Sequence, residues 1–138
     1  MKRYLGLDLG SKTLGVAISE SGLIASVYKT IRFVENNYDD ALEQLVPVID
    51  ENKITTVILG LPKHMNNDLG IRGEISTQFK AKILEKRNVE VILWDERLST
   101  QAVKKVMVQA IRRSKQKTIK DELAAVLILQ NYLDSKGA

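Results

Sequence analysis

The chain has no cysteine and one histidine, His64, among its 138 residues. The missing thiols exclude disulfides, thiolate zinc sites, iron–sulfur clusters and cysteine nucleophiles. A single imidazole argues against a Ser-His-Asp triad or a histidine-rich metal centre. Any bound metal must then be held mainly by oxygen, which favours Mg²⁺ or Mn²⁺. Aromatic residues are only 5% of the chain, too few to support a platform for stacking bases. Two prolines and eight glycines are scattered, so there is no linker-like stretch. No apolar run approaches the ~20 residues of a membrane helix. The basic-then-apolar start, Met1-Lys2-Arg3-Tyr4-Leu5, meets Asp8 before a signal-peptide core can form. The expectation is a cytoplasmic protein with no membrane association.

What is present is enough for one folded unit. A length of 138 residues favours a single domain, read here as 1–138. Hydrophobic residues at 44% supply a core. The formal charge of +4 suits a polyanionic partner, as it suits many ordinary soluble proteins.

Periodicity gives the order β-β-β-α-β-α-β-α-α. Strands are expected at Arg3–Leu9, Gly15–Glu20 and Leu23–Val34, joined by short turns as an antiparallel meander. Asn37 can cap a helix from Tyr38 to Glu51, with Ala41, Leu42, Leu45, Val46 and Ile49 on one face. Pro47 predicts a kink or an early end there. The continuous apolar runs Thr55–Leu59 and Val89–Trp94 read as parallel strands buried on both faces. Between them a polar loop, Lys63–Gly70, precedes a helix from Ile71 to Lys86. Ser99 can cap a helix through Ile111, a basic connection follows, and a last helix runs from Lys120 to Leu133. The fold class is α/β, a mixed five-stranded sheet flanked by helices.

Three carboxylates stand at element ends. Asp8 lies in Leu7-Asp8-Leu9-Gly10, Glu96 in Trp94-Asp95-Glu96-Arg97, and Asp121 in Lys120-Asp121-Glu122. Each alone has an ordinary alternative: Asp8 as a turn former, Glu96 and Asp121 as acidic groups complementing helix dipoles. Together they can share one edge of the sheet. Packed closely they would repel and raise each other's pKa, which a divalent cation relieves. Two such ions suit phosphodiester hydrolysis. Lys12, Lys63, Arg72, Arg97, Arg112 and Arg113, with Lys115, Lys117 and Lys120, can contact phosphates without reading sequence, or can form a plain solvated face. Trp94 reads as core and His64 as a surface loop residue.

The motifs resemble the YqgF (RuvX-type) family of ribonuclease H-like nucleases, described both as pre-16S rRNA nucleases and as Holliday junction resolvases. The resemblance rests on Asp8-Leu9-Gly10-Ser11-Lys12 with Gly15-Val16-Ala17, on Gly60-Leu61-Pro62, on Asp95-Glu96-Arg97-Leu98-Ser99-Thr100, and on Asp121 with Ala124-Ala125 and Ile128-Leu129-Gln130. Thr13, Asn66-Asn67-Asp68, His64 and Lys120 depart from the family pattern without touching the carboxylates. The resemblance implies a ribonuclease H-like fold with Asp8, Glu96 and Asp121 as catalytic ligands to two Mg²⁺ or Mn²⁺ ions. It implies attack by water at phosphorus, leaving a 3′-hydroxyl and a 5′-phosphate, in 5′-end maturation of pre-16S rRNA. The partner is then nucleic acid, and the protein a monomer or weak homodimer. The alternatives are resolution of branched DNA, which needs a dimer with two sites, and a non-catalytic RNA-binding factor. A nucleotide-binding module of the actin–hexokinase type shares the Asp8-Leu9-Gly10…Gly15 pattern, but it needs a second lobe that this length does not provide.

Overall fold

The computed structural model describes residues 2–61, 68–95 and 118–137. Strands β1 (Tyr4–Leu9), β2 (Thr13–Ser19) and β3 (Ser26–Arg32) form the expected antiparallel meander. Helix α1 (Tyr38–Glu51) leads to β4 (Thr56–Leu61), and α2 (Asp68–Lys86) leads to β5 (Glu90–Asp95). Helix α3 (Thr118–Gly137) closes the described chain. The sheet order is β3-β2-β1-β4-β5, with β4 parallel to both β1 and β5. The crossover reading of the two apolar runs is therefore correct. The expected helix from Ser99 to Ile111 lies outside the described residues.

The sheet buries different side chains on its two faces. On one, Leu5, Leu7 and Leu9 of β1 join Leu14, Val16, Val57 and Leu59 against α1 and α2. Phe79 and Ile83 of α2 and Leu45 and Val48 of α1 are among the most deeply buried side chains. On the other face, Tyr4, Ala17 and Ile58 pack against Ala125, Val126, Ile128, Leu129 and Leu133 of α3. Arg87, just past α2, holds Asp50 of α1 through two hydrogen bonds of 2.7 and 2.8 Å. That contact lowers the Asp50 carboxyl pKa, chiefly through the hydrogen bond.

Three expectations need correction. Of the kink or early end expected at Pro47, the early end does not occur, and helix α1 runs on to Glu51. Pro47 is exposed, so the carbonyl left without a partner on the preceding turn can be met by water. The cap is as expected: the Asn37 side chain accepts from the Asp40 amide at 3.2 Å. Strand β3 starts at Ser26, not Leu23, because side-chain hydrogen bonds fold residues 21–25 into a loop. The segment expected as a loop to Gly70 is already helical from Asp68.

Glycine decides how closely α3 can lie on the sheet. A Cβ on Gly6 would stand 2.6 Å from the Leu129 Cβ and 2.8 Å from the Ala125 carbonyl oxygen. Neither atom can swing away without moving the helix. A Cβ on Gly60 would instead meet the tip of the Ile128 side chain, which can change rotamer. Gly6→Ala should therefore cost about 1–3 kcal/mol of stability, the range of overpacked cores, and Gly60→Ala clearly less. Urea denaturation of the two variants checks the ranking, and equal midpoints would refute it.

Candidate active site at the end of the central strand

Side chains alternate along β1, so Tyr4, Gly6 and Asp8 face α3 while Leu5, Leu7 and Leu9 face the other core. Asp8 is half-buried. Across β2 its direct partner is Gly15, which brings no side chain against the carboxylate. On the other side the register pairs Leu7 with Leu59, so one step further Asp8 stands level with Gly60, itself paired with Trp94. Gly15, Asp8, Gly60 and Trp94 thus form one row across four strands. Asp8 is flanked by a glycine on each side.

Helix α3 runs antiparallel to β1. Lys136 Nζ donates to the Tyr4 hydroxyl at 2.6 Å, and Leu129 and Ala125 lie over Gly6. Four residues back along the helix is about 6 Å. Two residues forward along the strand is about 7 Å. The backbone of Asp121, one turn before Ala125, therefore comes to the end of β1 that carries Asp8. The helix can approach so closely only because Gly6 and Ala125 are small.

Glu96 follows directly on β5, whose last residue, Asp95, pairs with Leu61. Glu96 itself lies outside the described residues, as do Lys63, His64, Arg97, Arg112, Arg113, Lys115 and Lys117. The backbones of Asp121 and Lys120 belong to α3 and that of Arg72 to α2. Among the described residues no three His, Cys, Asp or Glu side chains form a metal cage. Of the predicted trio, only the Asp8 side chain is described. Trp94 is core, as expected, with its ring edge-on to Tyr132 at 5.4 Å.

Lys12 is exposed on the three-residue β1–β2 turn, four positions after Asp8. The turn is pinned by backbone hydrogen bonds. The Gly10 amide donates to the Thr13 carbonyl at 2.8 Å, the Phe33 amide to the Lys12 carbonyl at 3.0 Å, and the Asn36 amide to the Ser11 carbonyl at 2.8 Å. Sequence reasoning missed Asn36. Its φ of 63° lies in the left-handed region, which asparagine tolerates better than other residues with a side chain. The available signal was the pair Asn36-Asn37 just before a helix.

The comparisons with known proteins agree with this geometry. A family model described as RuvX, Holliday junction resolvase, matches residues 2–135. The chain belongs to this family. A protein of Onion yellows phytoplasma (strain OY-M), provisionally named a pre-16S rRNA nuclease, is 52% identical over 133 residues, covering 94% of this chain and 87% of its own. A Staphylococcus epidermidis protein of the same provisional name is 46% identical over 136 residues, covering 96% of each. Among solved structures, T. thermophilus RuvC in complex with a Holliday junction substrate superposes with a TM-score of 0.68 at 16% identity, over 99% of this chain and 96% of that one. The fold is that of ribonuclease H-like resolvases. As a member of the RuvX family the protein is a nuclease, a hydrolase of phosphodiester bonds.

The pinned turn generates a prediction. Asn36→Gly should leave stability nearly unchanged. Asn36→Val, which disfavours the left-handed backbone, should cost about 1–2 kcal/mol. Hydrogen exchange at the Phe33 and Asn36 amides should quicken in the valine variant alone.

Proposed function

We propose that the protein, folded as one 1–138 domain, is a divalent-metal-dependent ribonuclease acting in 5′-end maturation of pre-16S ribosomal RNA. Asp8, Glu96 and Asp121 hold the metal in this reading, and Mg²⁺ or Mn²⁺ is the ion. The observation that supports it best is the close approach of α3 to β1 over Gly6, which brings the first turn of the helix towards the half-buried Asp8.

The donor set fits a hard cation. It contains only oxygen, and neither in-register neighbour of Asp8, Gly15 or Gly60, carries a side chain. When bound, such an ion activates water and stabilises the leaving oxygen. The chain's own contribution is to fix the ligands on rigid elements, a central strand and a helix wedged against it, before substrate arrives. Lys12, carried on a pinned turn, would bind a backbone phosphate beside the cut. Lys63, Arg72, Arg97, Arg112 and Arg113 extend that phosphate surface.

RNA is preferred over branched DNA because the relatives named for pre-16S rRNA are 46–52% identical, whereas the junction-bound structure is 16% identical and carries the fold alone. The family description itself favours the second reading, resolution of a four-way DNA junction.

The test is cleavage of a labelled pre-16S 5′-leader RNA and of a four-way DNA junction, each with Mg²⁺, Mn²⁺ or EDTA. RNA cutting should require metal. Asp8→Asn should lower it by about 100-fold or more, the effect of losing ~3 kcal/mol of transition-state stabilisation. Symmetric cutting of the junction alone would replace this reading with the resolvase. Metal-dependent cutting undiminished in Asp8→Asn would remove Asp8 from the site.

Lys12→Ala gives an independent check. It should stay within about 0.5 kcal/mol of wild-type stability, as exposed substitutions do. It should weaken RNA binding and reduce the slope of log K against log[salt] by about 0.7, one single-strand phosphate contact. An unchanged slope would place Lys12 away from the substrate.

A further inference from the structure

At the opposite end of the sheet from Asp8, a cavity of about 340 Å³ opens between the start of β1, the β2–β3 connection and the last turns of α3. Lys2, Tyr4, Leu23, Leu133 and Lys136 line it, and none of its lining residues is acidic. The Lys136 ammonium donates to the Tyr4 hydroxyl at 2.6 Å and stands 5.0 Å from the ring centroid. Tyr4 is buried, and its hydroxyl, having accepted that bond, retains its own proton to donate. The hydrogen bond to Tyr4 is also the main reason the Lys136 pKa is raised. The nearby carboxylates are engaged elsewhere. Glu20 pairs with Arg3 at 3.3 Å, and Asp134 accepts from Gln130 at 2.9 Å.

Beside this cavity two large aliphatic side chains stand in water. Leu23 is 73% exposed and Ile24 69%. They sit on a fastened loop, not a loose one. The Ser21 hydroxyl accepts from the Leu23 and Ile24 amides at 3.1 and 3.3 Å. Gln130 of α3 accepts from the Ala25 amide at 2.9 Å and donates to the Leu23 carbonyl at 3.0 Å. The Gly22 amide donates to the buried Ser19 hydroxyl at 3.0 Å. The backbone that presents these two side chains is therefore already ordered, which lowers the entropic cost of binding to them.

Cation-lined cavity and apolar knob adjoin, and together they choose between partners. A nucleic acid backbone would satisfy the lysines but leave both aliphatics wet. A peptide carrying a carboxylate next to apolar side chains covers both. We propose that this end of the molecule docks a protein segment that inserts an aspartate or glutamate carboxylate between Lys2 and Lys136 and lays aliphatic side chains over Leu23 and Ile24. Tyr4 and Asp8 are four residues apart along one strand, about 13 Å. Such a partner therefore leaves the Asp8 end open to substrate.

The experiment is amide-shift titration of the ¹⁵N-labelled full chain with three probes: acetyl-Leu-Glu-Leu-Ile-amide, its glutamine isostere, and a single-stranded oligouridine. The acidic peptide should shift the Tyr4, Gly22 and Leu23 amides. The glutamine peptide should bind about fivefold more weakly, near 1 kcal/mol. Lys136→Met and the double variant Leu23→Ser, Ile24→Ser should each weaken the acidic peptide by a similar factor, the double variant with its melting temperature unchanged and Lys136→Met with the amide spectrum of the free chain native away from Tyr4. Equal binding of both peptides, binding undiminished in either variant, or no response to millimolar acidic peptide would overturn the proposal. Shifts of these amides by oligouridine alone would assign the surface to nucleic acid instead.

Discussion

The close seating of α3 on β1 is the constraint on which the rest of the structure depends. Gly6 has no room for a Cβ because the Leu129 Cβ and the Ala125 carbonyl already occupy that space. A helix standing off a sheet at ordinary distance would leave its first turn further from the end of the strand that carries Asp8. Here the gap is closed by removing side-chain volume from both sides, glycine on the strand and alanine on the helix. The apolar contacts further along α3, among Ile58, Ile128, Leu129 and Leu133, fix the helix in that position. Core packing and site geometry are thus set by the same few residues, so strain at Gly6 reaches the site as a displacement of the helix that carries Asp121.

The opposite face of the sheet supplies rigidity of a different kind. Leu5, Leu7 and Leu9 interleave with α1 and α2, and the Asp50–Arg87 contact ties the end of α1 to the chain just after α2. Alternation along β1 separates the two tasks: odd-numbered residues anchor the strand and even-numbered ones meet α3. The carboxylate of Asp8 is therefore carried on a strand buried on both faces.

Much of this was legible in the sequence because it is local. The Asn37 cap, the apolar face of α1 and the buried run of β4 all follow from spacing within a dozen residues, whereas β5, expected to be as buried, is the edge of the described sheet and mostly half-buried. The misreadings have separate causes. Leu23 and Ile24 look like strand residues by composition. Their backbone is taken instead by side chains of Ser21 and Gln130, the latter more than 100 positions away in sequence. Pro47 looks like a helix stop, but it lies on the exposed side, where water can meet the carbonyl it leaves unpaired, and the helix continues to Glu51. For the site, residue types and their order were readable. What the sequence does not reveal is that Gly15 and Gly60 stand on either side of Asp8, which is a property of register.

Helix α3 also joins the two ends of the molecule. Its first turn reaches the Asp8 end of β1, and its last turn is clamped to the other end by Lys136 on Tyr4. From Asp121 to Lys136 the helix rises about 22 Å. The clamp and the Gly6 contact fix the helix at two points against one strand, so it has little freedom to slide or tilt. A ligand seated between Lys2 and Lys136 would add a third contact at the end of the helix away from Asp8. Its effect on the reaction would then come through the stiffness of α3, not through competition for substrate. The arrangement therefore allows a partner to dock on the nuclease while the Asp8 end stays free.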